Sequence, residues 1–212
     1  MSDVLHRFRV PPFDTSGDER LPAWVSELSD RPIVYATLGT TFNQAPATFR
    51  VLIEALGGEE FEAIITVGRN LDPRQFGALP ANVRVARYIP QSLLLPRCQA
   101  IVFHAGFNSI HSALWHGLPM VLTPMGAGDQ EFNARRCAAL GAAIVVEGQP
   151  PAPEALRAAV RAVLREPGPR TRALALSREL NALPQLSTAA DLLERLGRSR
   201  EPQRGEDAET RR

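Results

Sequence analysis

Six short, mostly apolar runs recur along the chain, and each ends at or next to a glycine or a proline. Runs of this length, rich in β-branched residues, predict strands that are buried in a sheet. They cover residues 32–39, 61–68, 83–90, 100–106, 118–125 and 142–148.

Stretches with apolar residues at every third or fourth position lie between and after these runs, and this spacing predicts helices. The four clearest are 47–58, 108–117, 131–141 and 153–167. A short helix is expected within 21–28, and one or two further helices within 171–197, interrupted at Pro184.

Strands that alternate with helices at this spacing predict an α/β fold, with a Rossmann-like parallel sheet and helices on both faces. We expect residues 1–31, which are polar and rich in proline, to form an interdomain-type linker. Residues 32–197 would form the Rossmann-like domain, and residues 198–212, which lack an apolar pattern, a disordered tail.

The composition of the chain argues against several classes of binding partner and bound group. The 212 residues carry a formal net charge of +1, so a nucleic-acid-binding stripe or a polybasic membrane anchor is not expected. No run approaches the roughly twenty apolar residues that a membrane-spanning helix needs. The cysteines, Cys98 and Cys137, are too few for a disulfide framework and too far apart for a metal motif. We therefore expect both to be buried and the protein to be cytoplasmic.

The segment HAGFNS at 104–109 is the most informative, because it leaves an apolar strand and opens a helix. Main-chain N–H groups at a helix start point outward and carry about half a positive charge, which suits a phosphate. His104, Gly106, Asn108 and Ser109 would then contact an anion. The alternative is an ordinary helix start, in which Asn108 or Ser109 caps the main chain and His104 is a core histidine.

Three more strand-end loops carry polar or glycine-rich sequences at the same predicted edge: TLGTTFN, RYIPQSLLLPRC and GLPMVLTPMGAGDQEFNA. Together with HAGFNS, their order resembles the C-terminal, donor-binding half of inverting glycosyltransferases of the GT-B fold, especially the bacterial macrolide and antibiotic enzymes. The plant secondary-product glycosyltransferases are also similar. The resemblance begins in the linker-like RFRVPPFD and extends to about Gly197. It implies that the domain at 32–197 binds a nucleotide sugar.

The resemblance implies a nucleoside site on one side of this edge. Tyr88 stands where the plant family stacks an aromatic ring on the base, and Gln91 where a glutamine contacts the nucleoside. Gly39 and Thr40 match the turn that approaches the nucleotide. Ser112 replaces the glutamate that grips the ribose, so only a weaker contact is expected there. The alternatives are a half-buried Tyr88, a plain turn at Gln91 and a plain strand-to-helix connection at Gly39.

The resemblance also implies residues for the diphosphate and the sugar. His104, Asn108 and Ser109 match the diphosphate-binding residues, whereas Asp129 and Gln130 match the pair that holds the sugar hydroxyls. The alternative for Asp129 is a helix N-cap. Asn133 and Ala134 belong to the same matched segment and are expected to pack. His111 and His116 match no family role and are expected to lie on helix faces.

Glycosyl transfer requires a base that deprotonates the acceptor hydroxyl and groups that stabilise the departing diphosphate. His104 and the helix start would supply the second function. No Asp-x-Asp pair occurs, so neither a metal nor another cofactor is expected, and a UDP- or dTDP-sugar is the donor substrate. In the family that this chain resembles, the base and the acceptor pocket belong to the N-terminal domain. His6, in the linker, is a poor substitute.

Three hypotheses follow. The first is a hexosyl-transferring glycosyltransferase that is completed in trans by an acceptor-binding partner chain and that acts on a small-molecule acceptor. The second is a non-catalytic nucleotide-sugar-binding module or truncated remnant, which Ser112 would fit. The third, disfavoured by TLGTTFN and DQEFNA, is a sugar-nucleotide epimerase. A docking partner predicts exposed apolar residues at Ile89, Leu93 and Phe107.

Overall fold

The computed structural model describes residues 6–12, 17–39, 45–126 and 128–198. The chain divides into two compact units. One comprises residues 1–11 and 181–212, and the other comprises residues 12–180. The predicted domain boundaries at residues 31 and 197 remain predictions.

The larger unit is built on a sheet of six parallel strands in the order β3-β2-β1-β4-β5-β6. This order is typical of dinucleotide-binding Rossmann folds. The strands are β1 Ile33–Thr37, β2 Glu62–Thr66, β3 Val83–Ala86, β4 Ala100–Phe103, β5 Met120–Leu122 and β6 Ala143–Val145. Each lies within a run that the apolar pattern predicts, so the predicted fold class is confirmed.

Helices follow the strands in alternation, and the predicted ones are all present. The α-helices of this unit are α1 Pro46–Leu56, α2 Gln91–Leu94, α3 Phe107–Trp115, α4 Gln130–Ala139, α5 Pro153–Arg165 and α6 Pro167–Asn181. Short 3-10 helices span Ala23–Glu27, Pro73–Phe76 and Leu95–Arg97. Helix α2 and the last two 3-10 helices were not predicted, because four residues or fewer are too short to show a helical period.

The core consists of two apolar layers, one on each face of the sheet. On one face, α1 and α5 pack through residues such as Phe49 and Val160. On the other face lie side chains from α2, α3, α4 and α6, including Cys137. Cys98 and Cys137 are 3% and 5% exposed, which confirms that both are buried. Burial raises the pKa of the Cys98 thiol to about 12, so it stays protonated.

Part of the segment predicted as linker packs against this core. Val25, in the 3-10 helix Ala23–Glu27, is 1% exposed and belongs to the same apolar layer as α3. Leu21, Trp24 and Leu28 lie partly buried against that layer. The amphipathic pattern of 21–28 therefore reflects a face that packs on the core.

In the smaller unit, Arg9 contacts residues 181–184. The main-chain N–H of Arg9 donates to the Pro184 carbonyl at 2.7 Å, and its guanidinium donates to the Asn181 carbonyl at 3.2 Å. Helix α7, Leu186–Arg198, follows. The prediction of helices interrupted at Pro184 is confirmed, and most of the predicted tail, 199–212, lies outside the described residues. None of the described helices is long and apolar enough to cross a membrane.

Asn82 fixes the start of β3 against the connection between α1 and β2. Its side chain is buried, with the Asn82 amide nitrogen donating to the Leu56 and Phe61 carbonyls, each at 2.9 Å. The side-chain oxygen of Asn82, Oδ1, accepts from the Gly58 N–H, also at 2.9 Å. One side chain thus satisfies three main-chain groups that no strand or helix partner serves.

We expect Asn82→Ala to lower the free energy of unfolding by about 3 kcal/mol, because it leaves these buried groups unpaired. Chemical denaturation followed by circular dichroism measures the loss. Gln75→Ala, at an exposed position, is the control and should change stability by less than about 0.5 kcal/mol. A loss below about 1 kcal/mol in Asn82→Ala would show that water replaces the side chain without penalty.

Candidate functional site

Four of the predicted ligand-binding residues follow strands at the carboxyl edge of the sheet. Gly39 follows β1, Gln91 follows β3, His104 follows β4 and Asp129 follows β5. In an open parallel sheet, ligands bind beyond this edge. The loops that the sequence singled out are therefore on the side where a ligand is expected.

The imidazole of His104 lies between two glycines. A Cβ atom on Gly39, whose φ is +79°, would lie 2.7 Å from Cε1 of His104. A Cβ atom on Gly106 would lie 2.5 Å from Nε2 of the same ring. Both distances are shorter than any real contact, so the ring keeps this position only while both neighbours lack a side chain.

His104 has an unsatisfied polar atom. Its Nδ1 is buried and has no hydrogen-bond partner among the residues that the structure describes. Burial lowers the pKa of His104, and the charge of Asp129 opposes this shift only in part, so the ring is neutral near pH 7. Buried polar atoms in native proteins nearly always have a partner, and a bound ligand is one way to supply it.

Helix α3 begins directly beside this ring without a side-chain cap. Its N-cap is Gly106, and no side-chain cap from the described residues accepts from the first main-chain N–H groups. The alternative in which Asn108 or Ser109 caps the helix is therefore wrong, because both lie inside the first turn. Ala105, just before the helix, adopts a left-handed φ of 64°, a conformation that is costly for a residue with a side chain.

Asn133 connects the loop after β4 to the loop after β5 through hydrogen bonds, whereas the sequence predicted only a packing role for it. Its amide nitrogen donates to Oδ2 of Asp129 at 2.6 Å and to the Ala105 carbonyl at 3.2 Å. Asp129 occupies the N-cap position of α4, but its side chain does not cap the main chain. Ala134 is 1% exposed and packs in the core, as predicted.

Gln130 holds the loop between β5 and α4. It is 5% exposed, and its Oε1 accepts from the main-chain N–H of Met125 at 2.8 Å. The carbonyl oxygen is therefore already engaged within the protein. Its contact with a sugar hydroxyl remains a prediction.

Tyr88 and Gln91, which are expected near the nucleoside, follow β3. Gln91 begins α2, and its Nε2 donates to the hydroxyl of Tyr35 at 3.2 Å. Tyr88 is 49% exposed, and its hydroxyl donates to Oε2 of Glu19 at 3.0 Å. The sequence contains no pattern that links Glu19 to Tyr88, which is 69 residues away. Thr40 lies outside the described residues.

Two of the three apolar residues expected at the surface are exposed. Leu93 is 38% exposed and Phe107 is 65% exposed, with the Phe107 ring stacked on His111 at 6.2 Å between ring centroids. Ile89 is only 1% exposed, so its prediction is wrong. It packs into the apolar layer on the α3 face of the sheet, where a branched side chain fills the core.

Ser112 is half-buried in the second turn of α3, downstream of the uncapped helix start. His116 caps the end of that helix, and burial lowers its pKa. Among the described residues, no group of three or more His, Cys, Asp or Glu side chains is arranged to hold a metal ion.

A family model described as erythromycin biosynthesis protein CIII-like, C-terminal domain, matches residues 50–196. Among curated relatives, the 4'-demethylrebeccamycin synthase of Lentzea aerocolonigenes is 38% identical over 176 residues, which are 82% of this chain and 41% of that protein. The 3-alpha-mycarosylerythronolide B desosaminyl transferase of Saccharopolyspora erythraea is 31% identical, covering 88% of this chain and 45% of that protein.

Solved structures of glycosyltransferases are also similar to this chain. The glycosyltransferase VinC in complex with dTDP superposes with a TM-score of 0.79 at 31% identity, covering 93% of this chain and 49% of that one. The spinosyn rhamnosyltransferase SpnG complexed with thymidine diphosphate gives a TM-score of 0.76 at 27% identity, covering 91% and 53%. The chain thus spans about half the length of these relatives. It belongs to the family of erythromycin biosynthesis protein CIII-like C-terminal domains.

Proposed function

We propose that this chain is the donor-binding half of an inverting glycosyltransferase that transfers a hexosyl group from a UDP- or dTDP-sugar to a small-molecule acceptor. The observation that carries the proposal is the unpartnered Nδ1 of His104 beside the uncapped start of α3. A diphosphate would accept hydrogen bonds from the first N–H groups of α3 and lie beside the His104 ring. Family membership and the nucleotide diphosphates in two related structures support this choice of ligand.

In the reaction, an oxygen of the acceptor hydroxyl attacks the anomeric carbon while the bond from that carbon to the diphosphate breaks. The bonding electron pair leaves on the diphosphate, whose negative charge grows in the transition state. Hydrogen bonds from His104 and from the first N–H groups of α3 would stabilise that charge. Donors placed in this way are worth roughly 3 kcal/mol each in other enzymes.

The proposal assigns the diphosphate, the sugar and the nucleoside to neighbouring groups on the sheet edge. Asn108 and Ser109 would add hydrogen bonds to phosphate oxygens, and Asn133 would hold the Asp129 carboxylate ready for a sugar hydroxyl. Tyr88, Gln91 and the turn at Gly39 and Thr40 would bind the nucleoside. Because neutral side chains and the first N–H groups of α3 would hold the diphosphate, the proposed site uses no metal ion.

The attacking hydroxyl also needs a general base, and the two candidates among the described residues of this edge already have other roles in the proposal: the His104 ring faces the diphosphate, and the Asp129 carboxylate, which accepts from Asn133, faces the sugar. We therefore propose that an acceptor-binding partner contributes the base and the acceptor pocket. The second candidate function is a nucleotide-sugar-binding module without turnover. Ser112 favours it, because a serine holds a ribose less firmly than the glutamate of similar enzymes.

Replacement of His104 tests the diphosphate site. We expect the chain to bind UDP and dTDP in titration calorimetry, and His104→Ala to weaken binding about tenfold through the lost charge-assisted hydrogen bond. Gly106→Ala should weaken it similarly, because the added Cβ displaces the ring. Gly168→Ala, where a Cβ meets open space, is the matched control and should bind within about twofold of the wild type.

Two results would count against this proposal. If the folded wild-type chain bound neither nucleotide, the donor-binding assignment would fail. If His104→Ala bound as tightly as the Gly168→Ala control, the diphosphate would lie elsewhere. Circular dichroism of each variant separates these results from unfolding.

The pH dependence of binding tests the state of His104. Its pKa is lowered in the free protein, whereas a nearby diphosphate favours the protonated ring and raises that pKa. Binding would therefore take up a proton, and affinity should increase between about pH 8 and about pH 6. UDP-glucose is the suitable probe, because its phosphates keep a constant charge in this range. His104→Gln should show a flat profile, and an equal slope in both proteins would contradict the assignment.

A further inference from the structure

A phenol hydroxyl is buried under the proposed nucleoside site. Tyr35 lies in the middle of β1, is 1% exposed and packs among the apolar residues of the α3 face. A phenylalanine would fill the same space without burying a polar group. The hydroxyl therefore has a role other than packing.

The hydroxyl of Tyr35 links two elements that end or begin at the ligand-binding edge. It lies 2.7 Å from Oγ1 of Thr66, the last residue of β2. It also accepts a hydrogen bond from Nε2 of Gln91, the first residue of α2, at 3.2 Å. Thr66 is itself buried, whereas Gln91 is half-buried. The Tyr35 hydroxyl thus connects the buried Thr66 to Gln91, which begins α2 at the ligand-binding edge.

The chemistry of the phenol suits this position. Burial raises the pKa of Tyr35, so the hydroxyl keeps its proton and can donate one hydrogen bond while accepting others. With Gln91 donating through its nitrogen, the planar amide group is fixed at one end. Its carbonyl oxygen, Oε1, is then held in one orientation and is available to accept a hydrogen bond from a ligand.

We propose that Tyr35 is a positioning residue that orients the Gln91 amide, so that Oε1 accepts a hydrogen bond from an N–H or O–H group of the bound nucleoside. This inference rests on the proposed donor-binding function. It adds a buried contact that selects one orientation of Gln91 before the ligand arrives. Such preorganisation reduces the entropy that is lost on binding.

The test compares two probes that share the diphosphate but differ in the nucleoside: UDP and inorganic pyrophosphate. Tyr35→Phe should weaken UDP binding about fivefold, the effect of one ordinary hydrogen bond, while pyrophosphate binding changes less than about twofold. Gln91→Ala should also weaken UDP selectively. In the Gln91→Ala background, Tyr35→Phe should cause no further loss, because it acts through Gln91.

Thr66→Val is the matched control, since it removes another partner of the same hydroxyl but leaves Gln91 in place. It should lower stability by an amount similar to Tyr35→Phe and leave UDP affinity within about twofold. Chemical denaturation of each variant gives the stability. A change in affinity that follows stability alone would appear in both variants and would overturn the inference.

The remaining outcomes separate this inference from the function on which it rests. If the wild-type chain binds UDP and Tyr35→Phe binds it equally well, the positioning role is wrong and the donor site stands. Additive losses in the double variant would also overturn the positioning role. If the wild-type chain binds neither probe, the donor-binding function fails and this inference fails with it.

Discussion

The close approach of two strand ends around one imidazole determines the rest of the site. His104 lies against Gly39 after β1 and against Gly106 at the start of α3, and a methyl group on either glycine would overlap the ring. The two adjacent parallel strands can therefore bring their loops together, and the ring closes the space between them. Because Gly106 is also the N-cap of α3, the same glycine leaves the helix start without a side-chain cap. The position of the His104 ring and the uncapped start of α3 thus both depend on the glycine at 106.

Side-chain amides connect the other loops to this centre. Asn133 joins the Asp129 carboxylate to the Ala105 carbonyl, which is next to His104. Gln130 holds the loop after β5 through Met125. Neutral amides suit this task, because each can donate and accept without adding a net charge that would repel or trap a diphosphate. The Asp129 carboxylate is the charged side chain in this network, and its charge acts on the His104 ring.

Much of this arrangement could be predicted from the sequence, and the reasons are physical. Buried parallel strands read as apolar runs, so all six strands and the sheet edge with HAGFNS followed from local pattern. Partners distant in sequence did not: Tyr88 with Glu19, and Gln91 with Tyr35, meet only after the sheet forms. Ile89 was expected at the surface as part of a face that docks a partner, yet it packs in the core and is 1% exposed. Side-chain direction after a strand end is set by tertiary packing, which local pattern does not encode.

The free site holds polar groups in a state that a ligand would relieve. The buried Nδ1 of His104 is without a partner in the described structure, and a group in this state costs about 1–3 kcal/mol. Ala105 adds backbone strain beside it. Both costs are borne by the folded protein in the absence of ligand, and in the proposed function a bound diphosphate would offset part of them. In the proposed function, the buried ring and the uncapped helix act together as the parts of the fold that favour an anion over water.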